Sequence, residues 1–359
     1  MVRLKVAVDA RMINNSGIGT CIQNWMKNGC YDVAIGDLEE IIKFDKKIDL
    51  VAFTSPIYGI KEQLKFPYRK LKKMKIDVLH VPHYNIPLFY RGKMIVTIHD
   101  LTHLILPEFL PNKFALFYAK FMLRMAVKRA STLITVSENT KNDILNFFKV
   151  DPNKIEVVYN GVGDEFIIKP PEKIEYLYKK YNIPKNKKIL MYVGNMKPHK
   201  NLLRLLEAFS KLKNIDKYRL VLVGKSFINQ INLQNEEGKL NITDYVIHTG
   251  IVSQEELVDF YNLSDLFVFP SLYEGFGLPI IEALSCGTNV VCSNTSSMPE
   301  VGGKFVNYFD PNNTEDITKS IEENVDKKFD FDALKWVERF KWQNSSKKIE
   351  EICSKMVKI

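Results

Sequence analysis

The chain is poor in cysteine. Five occur among 359 residues (Cys21, Cys30, Cys286, Cys292 and Cys353), an odd number with no CxxC pair. That argues against a disulfide framework or a zinc ribbon and fits a reducing cytoplasm. No run of ~20 predominantly apolar residues is present, so no transmembrane helix is expected. The opening segment alternates charged and apolar residues up to Asp9, the pattern of a first strand and not of a signal peptide. Low-complexity stretches and short internal repeats are also missing, which excludes solenoids and collagen-like chains. What remains is 46% hydrophobic, 11% aromatic and 26% charged. That is enough apolar material for sizeable cores, and at ~100–200 residues per domain the length suggests two.

Charge is uneven. Of 51 Lys+Arg and 42 Asp+Glu, residues 1–165 hold 24 and 17, and residues 166–359 hold 27 and 25. The first half therefore carries +7 of the net +9. Such an excess suits an anionic partner or a plain solubilising surface.

Short apolar strands are predicted at 3–9, 49–54, 77–81, 94–98, 132–136 and 155–159, separated by helical or loop segments. After Pro170 and Pro171 the pattern restarts, with strands at 188–194, 218–223, 246–249, 266–269, 289–292 and 306–309. Strands alternating with helices at this spacing predict parallel sheets covered on both faces. The fold class is α/β, with an N-terminal domain over 1–165 and a C-terminal domain over 166–340. The helical tail 341–359 is expected to pack back on the first domain.

Open parallel sheets bind ligands beyond the carboxyl ends of their strands, so residues just after strands carry the most information. The densest such segment is FPSLYEGFGLPIIEA, residues 269–283. Gly275 and Gly277 make a sharp turn, and Pro279 suits the first turn of a helix. The amides of Phe276, Gly277 and Leu278 then sit at a helix N-terminus, a natural phosphate site. Glu274 and Glu282 would repel a phosphate, so they are expected to bind hydroxyls of a sugar and a ribose. The plain alternative is one loop glutamate and one solvated helix glutamate. A second cluster, YVGNMKPHKN at 192–201, brings Asn195, Lys197, His199 and Lys200 to the same kind of edge. There, Lys200 can neutralise charge on a leaving diphosphate. A third, VTIHDLTH at 96–103, ends a strand at His99, a candidate base or sugar ligand. Asp100 beside it can position backbone. His80, His83, His99 and His103 match no zinc spacing, and a structural role is the default for His80 and His83. No metal is expected. The loop Gly17-Ile18-Gly19 lacks the third glycine of a dinucleotide fingerprint and is expected to act as a flexible loop near a phosphate.

Taken together, these motifs resemble the retaining GT4 glycosyltransferases of GT-B fold, over nearly the whole chain. The pair Glu274–Glu282 looks like the family's E-x7-E motif. YVGNMKPHKN, VTIHDL, the GIG loop, VVYNGV at 157–162 and Pro299-Glu300-Val301 follow in family order. The resemblance implies two Rossmann-like domains facing across a cleft. It also implies metal-independent transfer of a hexose from a nucleotide-diphosphate sugar, with GDP-mannose the leading donor by similarity to O-antigen and capsule enzymes. UDP-glucose, UDP-galactose and deoxysugar donors stay open, as does same-face against double-displacement chemistry. By the same resemblance Glu274 lies near the donor sugar and Glu282 holds the ribose. Phe276, Gly277 and Leu278 bind sugar and phosphate through backbone, Lys200 binds the diphosphate, and His99 contacts the sugar. Gly17 and Gly19 line the diphosphate and acceptor loop. Two positions depart from the family: Asn195 and His199 stand where arginine is common.

The acceptor, a glycan or lipid-linked glycan, is expected at the basic first domain. Residues 61–75 contain seven basic residues and one acid, and residues 112–130 contain five basic residues and no acid among Phe, Leu and Met. Such stretches suit peripheral association with an anionic membrane. Equally, 112–130 can be an ordinary helix with its apolar face in the core. Other readings are a nucleotide-sugar epimerase, a catalytically silent scaffold and a basic nucleic-acid-binding protein. No RRM, zinc-finger or helix-turn-helix signature supports the last, so no nucleic-acid partner is expected.

Overall fold

The computed structural model describes residues 4–110, 112–195, 197–225 and 233–356. The first three and last three residues of the chain, and Met196 of the second motif cluster, lie outside this set. Two compact units form. One comprises Met1–Gly161 with Phe340–Ile359, the other Val162–Arg339.

The first unit holds a seven-stranded, wholly parallel sheet. Its strands are β1 (Val6–Asp9), β2 (Val33–Gly36), β3 (Asp49–Ala52), β4 (Val78–Val81), β5 (Lys93–Ile98), β6 (Thr132–Thr135) and β7 (Ile155–Val157). They lie in the order β3-β2-β1-β4-β5-β6-β7. Strand β2 was not expected from the sequence. Its four residues, VAIG, are all buried, so they show no polar alternation, and a short apolar run ending in glycine is indistinguishable from a loop or helix fragment. Helices α1 (Ser16–Lys27), α2 (Lys113–Arg129) and α3 (Glu138–Phe147) pack around this sheet. Ala7, Val33, Ile35, Leu79, Val96 and Leu133 of the sheet share one core cluster with Met122, Leu123 and Ala126 of α2.

The second unit holds six parallel strands: β8 (Lys188–Val193), β9 (Tyr218–Val223), β10 (Val246–Gly250), β11 (Leu266–Phe269), β12 (Asn289–Ser293) and β13 (Asn307–Phe309). Their order is β10-β9-β8-β11-β12-β13. Around it lie α4 (Leu202–Ser210), α5 (Gln254–Leu263) and α6 (Leu278–Ser285). Helix α4 buries Leu202, Leu205, Leu206, Ala208 and Phe209, a stripe at helical spacing laid on β8 and β9. Each fully buried Leu or Phe contributes roughly 1.5–3 kcal/mol. Helix α5 begins with a capping box, in which Ser253 and Glu256 satisfy each other's backbone amides.

The last helix, α7 (Trp342–Lys355), belongs to the first unit. Trp342 meets Trp25 edge-on at 6.5 Å, and the Trp25 indole donates to Ser345 Oγ at 2.8 Å. Lys348 and Lys355 both pair with Glu156 at the end of the first sheet.

In each sheet the strand order reverses direction at one place, between β1 and β4 and between β8 and β11. Helices there leave to opposite faces, and the loops at the strands' carboxyl ends part to form a crevice. Loops after β1, β4, β8 and β11 are therefore where a ligand site is sought.

Candidate active site

In the second unit the loops after β8 and β11 meet through charge. Lys200 Nζ lies 2.5 Å from Glu274 Oε1, and both side chains are mostly shielded from solvent. The ammonium also sits 5.7 Å above the Phe269 ring. Lys200 ends a 3-10 turn, Pro198–Lys200, whose next residue Asn201 has a left-handed backbone at φ 60°. Asparagine tolerates that conformation better than most residues. Its side-chain amide donates to the Pro270 carbonyl at 3.1 Å and the Pro311 carbonyl at 2.7 Å. The Leu272 amide donates to the His199 carbonyl at 2.8 Å. Asn201 and His199 thus tie the two loops together beneath the ion pair.

A third loop braces the second. After β12, Ser296 Oγ accepts from the Glu274 amide at 3.0 Å, Ser297 Oγ donates to the carbonyls of Glu274 and Phe276, and Thr295 Oγ1 donates to that of Leu272. These hydroxyls hold the turn that carries Glu274. The sequence reading passed over Thr295, Ser296 and Ser297, although a Ser/Thr run directly after a strand was the available signal.

Gly277 caps α6 with φ +105°, a backbone that glycine adopts at no steric cost. A Cβ there would also come within 3.2 Å of Ile280. Leu278 and Pro279 open the helix, so its amino end follows directly on the Glu274 turn. One turn on, Glu282 accepts a hydrogen bond from the Tyr261 hydroxyl at 2.8 Å. Burial pushes its carboxyl up to about 7, opposed by the Tyr261 bond and reinforced by Glu165. This is not a solvated helix glutamate. Near neutral pH it can accept from a hydroxyl as a carboxylate or donate to one as an acid. At the end of β8, Asn195 keeps its side-chain oxygen buried with no hydrogen-bond partner among the described residues, while its carbonyl accepts from the Tyr192 hydroxyl at 3.2 Å.

In the first unit His99 follows β5. Its Nε2 lies 3.1 Å from the Pro82 carbonyl, which can only accept, so that nitrogen carries the proton and Nδ1 is left as an acceptor. Burial lowers its pKa, partly offset by Asp100 and the Pro82 bond. The ring is therefore neutral, fitted to bind a hydroxyl and not to supply positive charge. Trp25 stacks alongside at 6.4 Å. Asp100 accepts from the Thr102 amide at 2.9 Å and caps the turn that follows. His80, fully buried, is satisfied on both ring nitrogens by Tyr31 and Thr97, each at 2.7 Å.

Gly17 and Gly19 require a correction. The expected flexible loop is helix, because α1 starts at Ser16 and the Gly19 amide already bonds the Asn15 carbonyl at 2.7 Å. A Cβ on Gly19 would lie 2.3 Å from the Ile13 carbonyl oxygen, whereas one on Gly17 would meet nothing. Gly19 serves close approach between the helix and the turn leading out of β1.

That turn carries a polar network the sequence reading missed. Arg11 forms a fork on Asp9 and reaches Glu62 at 2.7 Å. Glu62 also accepts from Asn85 at 2.5 Å, and the Tyr118 hydroxyl donates to Asn85. Burial works against charge on Arg11, but Asp9 and Glu62 outweigh it and keep the guanidinium protonated. The network spans the ends of β1 and β4, the crevice of this sheet.

Two family models match the chain: glycosyl transferases group 1 over residues 173–341, and glycosyltransferase family 4 over residues 45–166. O-antigen chain mannosyltransferase B of Escherichia coli is 31% identical over 71% of this chain and 67% of its own length. O-antigen chain mannosyltransferase RfbU of Salmonella typhimurium is 32% identical over 70% and 69%. Among solved structures, Anabaena HepE in complex with UDP and glucose superposes with a TM-score of 0.82 over 98% of this chain and 100% of that one, at 17% identity. That likeness identifies the fold as GT-B. With the family models and the two relatives, it closes the question of class: this chain belongs to the group 1, family 4 glycosyltransferases and is a hexosyltransferase.

Proposed function

We propose that the chain moves a mannosyl group from GDP-mannose to a hydroxyl of a glycan or lipid-linked glycan acceptor in cell-surface polysaccharide synthesis, with retention at the anomeric carbon and without a metal ion. The observation that carries this reading is the Lys200–Glu274 pair beside the amino end of α6, with Glu282 one turn further on. The sugar and the pathway are supported by the two relatives, both named as O-antigen mannosyltransferases.

The chemistry follows from the parts. Breaking the bond from the anomeric carbon to the diphosphate leaves negative charge on phosphate oxygens and cationic character on the sugar. Lys200 and the amides of Phe276, Gly277 and Leu278 meet the former, as preorganised positive groups should. The diphosphate takes Lys200 from Glu274, and the released carboxylate then faces the sugar's hydroxyls and its developing positive charge. Glu282 takes the ribose diol. In the first unit, Nδ1 of neutral His99 accepts from a sugar hydroxyl. Gly17, where a Cβ would meet nothing, keeps the start of α1 slim on the acceptor side, and Asn195 and His199 line the nucleotide-sugar edge.

A thermal-shift comparison of nucleotide sugars, followed by transfer of labelled mannose into a surface-glycan extract, tests the proposal. GDP-mannose should raise the melting temperature and support incorporation. A shift with UDP-glucose alone would overturn the mannosyl assignment and leave the class intact.

A further inference from the structure

We propose that the outer face of α2 is a docking surface for an anionic membrane. This inference does not depend on which sugar is transferred.

Helix α2 has two apolar faces where a soluble helix needs one. Ala119, Met122, Leu123, Ala126 and Val127 are buried and satisfy its packing. Phe114, Phe117 and Phe121 are nevertheless 85%, 73% and 45% exposed. Their spacing of three and four residues places them on one side. Lys113, Lys120, Arg124 and Lys128 are exposed too, at spacings of seven and four, so they interleave with the phenylalanines. No acidic residue lies between 112 and 130. Phe114 and Phe117 bury little of their surface in this unit, and a face of rings and cations is poorly matched to bulk water.

A second basic stretch lies close by in the chain. Tyr58, half exposed, meets Tyr118 of α2 with ring centroids 6.1 Å apart. After Tyr58 in sequence comes the 61–75 stretch, whose seven Lys and Arg side chains are all exposed, together with Leu64.

Charge chooses the occupant. A second copy placing the same face against this one would set cations against cations without a carboxylate to separate them. An anionic bilayer offers what both parts of the face need. Headgroup phosphates lie level with the ammonium groups, and the acyl boundary lies a few ångströms deeper, within reach of the rings. Among the described residues no helix is long and apolar enough to cross a membrane, so contact at this face would be peripheral.

The test is flotation of the full chain with vesicles of phosphatidylcholine alone or with about 30% phosphatidylglycerol. Binding should require the anionic lipid, weaken with salt, and fall at least tenfold in the triple variant F114S/F117S/F121S and in K120E/R124E/K128E. A single Phe117→Trp substitution should add blue-shifted emission on mixing with anionic vesicles, and circular dichroism with thermal melting should show each variant folded. Three results would overturn the proposal: no flotation of the wild type at low salt, flotation unchanged in folded triple variants, or a dimer in sedimentation that F114S/F117S/F121S dissolves.

Discussion

Lys200 and Glu274 neutralise each other at 2.5 Å across two loops that come from opposite sides of the strand-order reversal in the second sheet. Under the proposed function, a donor diphosphate has to displace Glu274 from the lysine, which uncovers the carboxylate. Replacing Lys200 with alanine should lower turnover by at least about tenfold, or ~1.4 kcal/mol of barrier. Glu274→Gln should separate binding from chemistry: tighter affinity for GDP, because Lys200 is no longer occupied, together with turnover reduced by a similar factor. Nucleotide titrations beside steady-state rates check both.

Glu282 makes stability depend on pH. Its carboxyl sits at about 7 in the folded chain against 4.5 for the ordinary group, chiefly through burial. The folded state therefore holds this proton more tightly than the unfolded state. The contribution is fully present below the unfolded value and is lost as pH rises from there through about 7, a loss of ~3 kcal/mol. Glu282→Gln should match the wild type in urea unfolding near pH 4 and exceed it near pH 8. Equal stability at both values would remove the buried charge from the account.

Gly19 has no room for a side chain. Alanine there would place its Cβ 2.3 Å from a backbone oxygen that cannot rotate away. The expected loss is ~1–3 kcal/mol, typical of overpacking, read as a lower denaturation midpoint. Gly17→Ala, which meets no neighbour, should be neutral or mildly stabilising by the same measurement.

Arg11 holds two buried carboxylates at the crevice of the first sheet. Arg11→Met leaves Asp9 and Glu62 facing each other without a cation, which should destabilise by ~3–5 kcal/mol. The double change of Arg11→Met with Glu62→Gln should recover part of that loss in urea unfolding. Additive losses would mean that the residues do not act as one network.

How much of this could be read from the residues follows from how each segment is buried. All six strands of the second sheet appear near their expected places, because runs such as KILMYV are long, apolar and bounded by turn residues. In the first sheet VAIG at β2 is too short and too uniformly buried to show a period. The GIG segment reads as a loop because two glycines suggest flexibility. Its helix is stabilised by tertiary packing of Cys21, Ile22, Trp25 and Met26, which overrides local propensity. Glu274, Glu282 and Lys200 stood out by type and position after strands. That Lys200 pairs with Glu274, and that Glu282 accepts from the Tyr261 hydroxyl, are contacts across 74 and 21 residues that no local pattern encodes. The Arg11–Glu62 contact spans 51 residues and was missed for the same reason.

Calorimetric titration of GDP-mannose into the wild-type chain and into Lys200→Ala tests the central claim most directly. Saturable one-to-one binding in the wild type, weakened at least tenfold in the variant, is the expected result. Equal affinity in the two proteins would contradict a donor diphosphate held at the second sheet by Lys200.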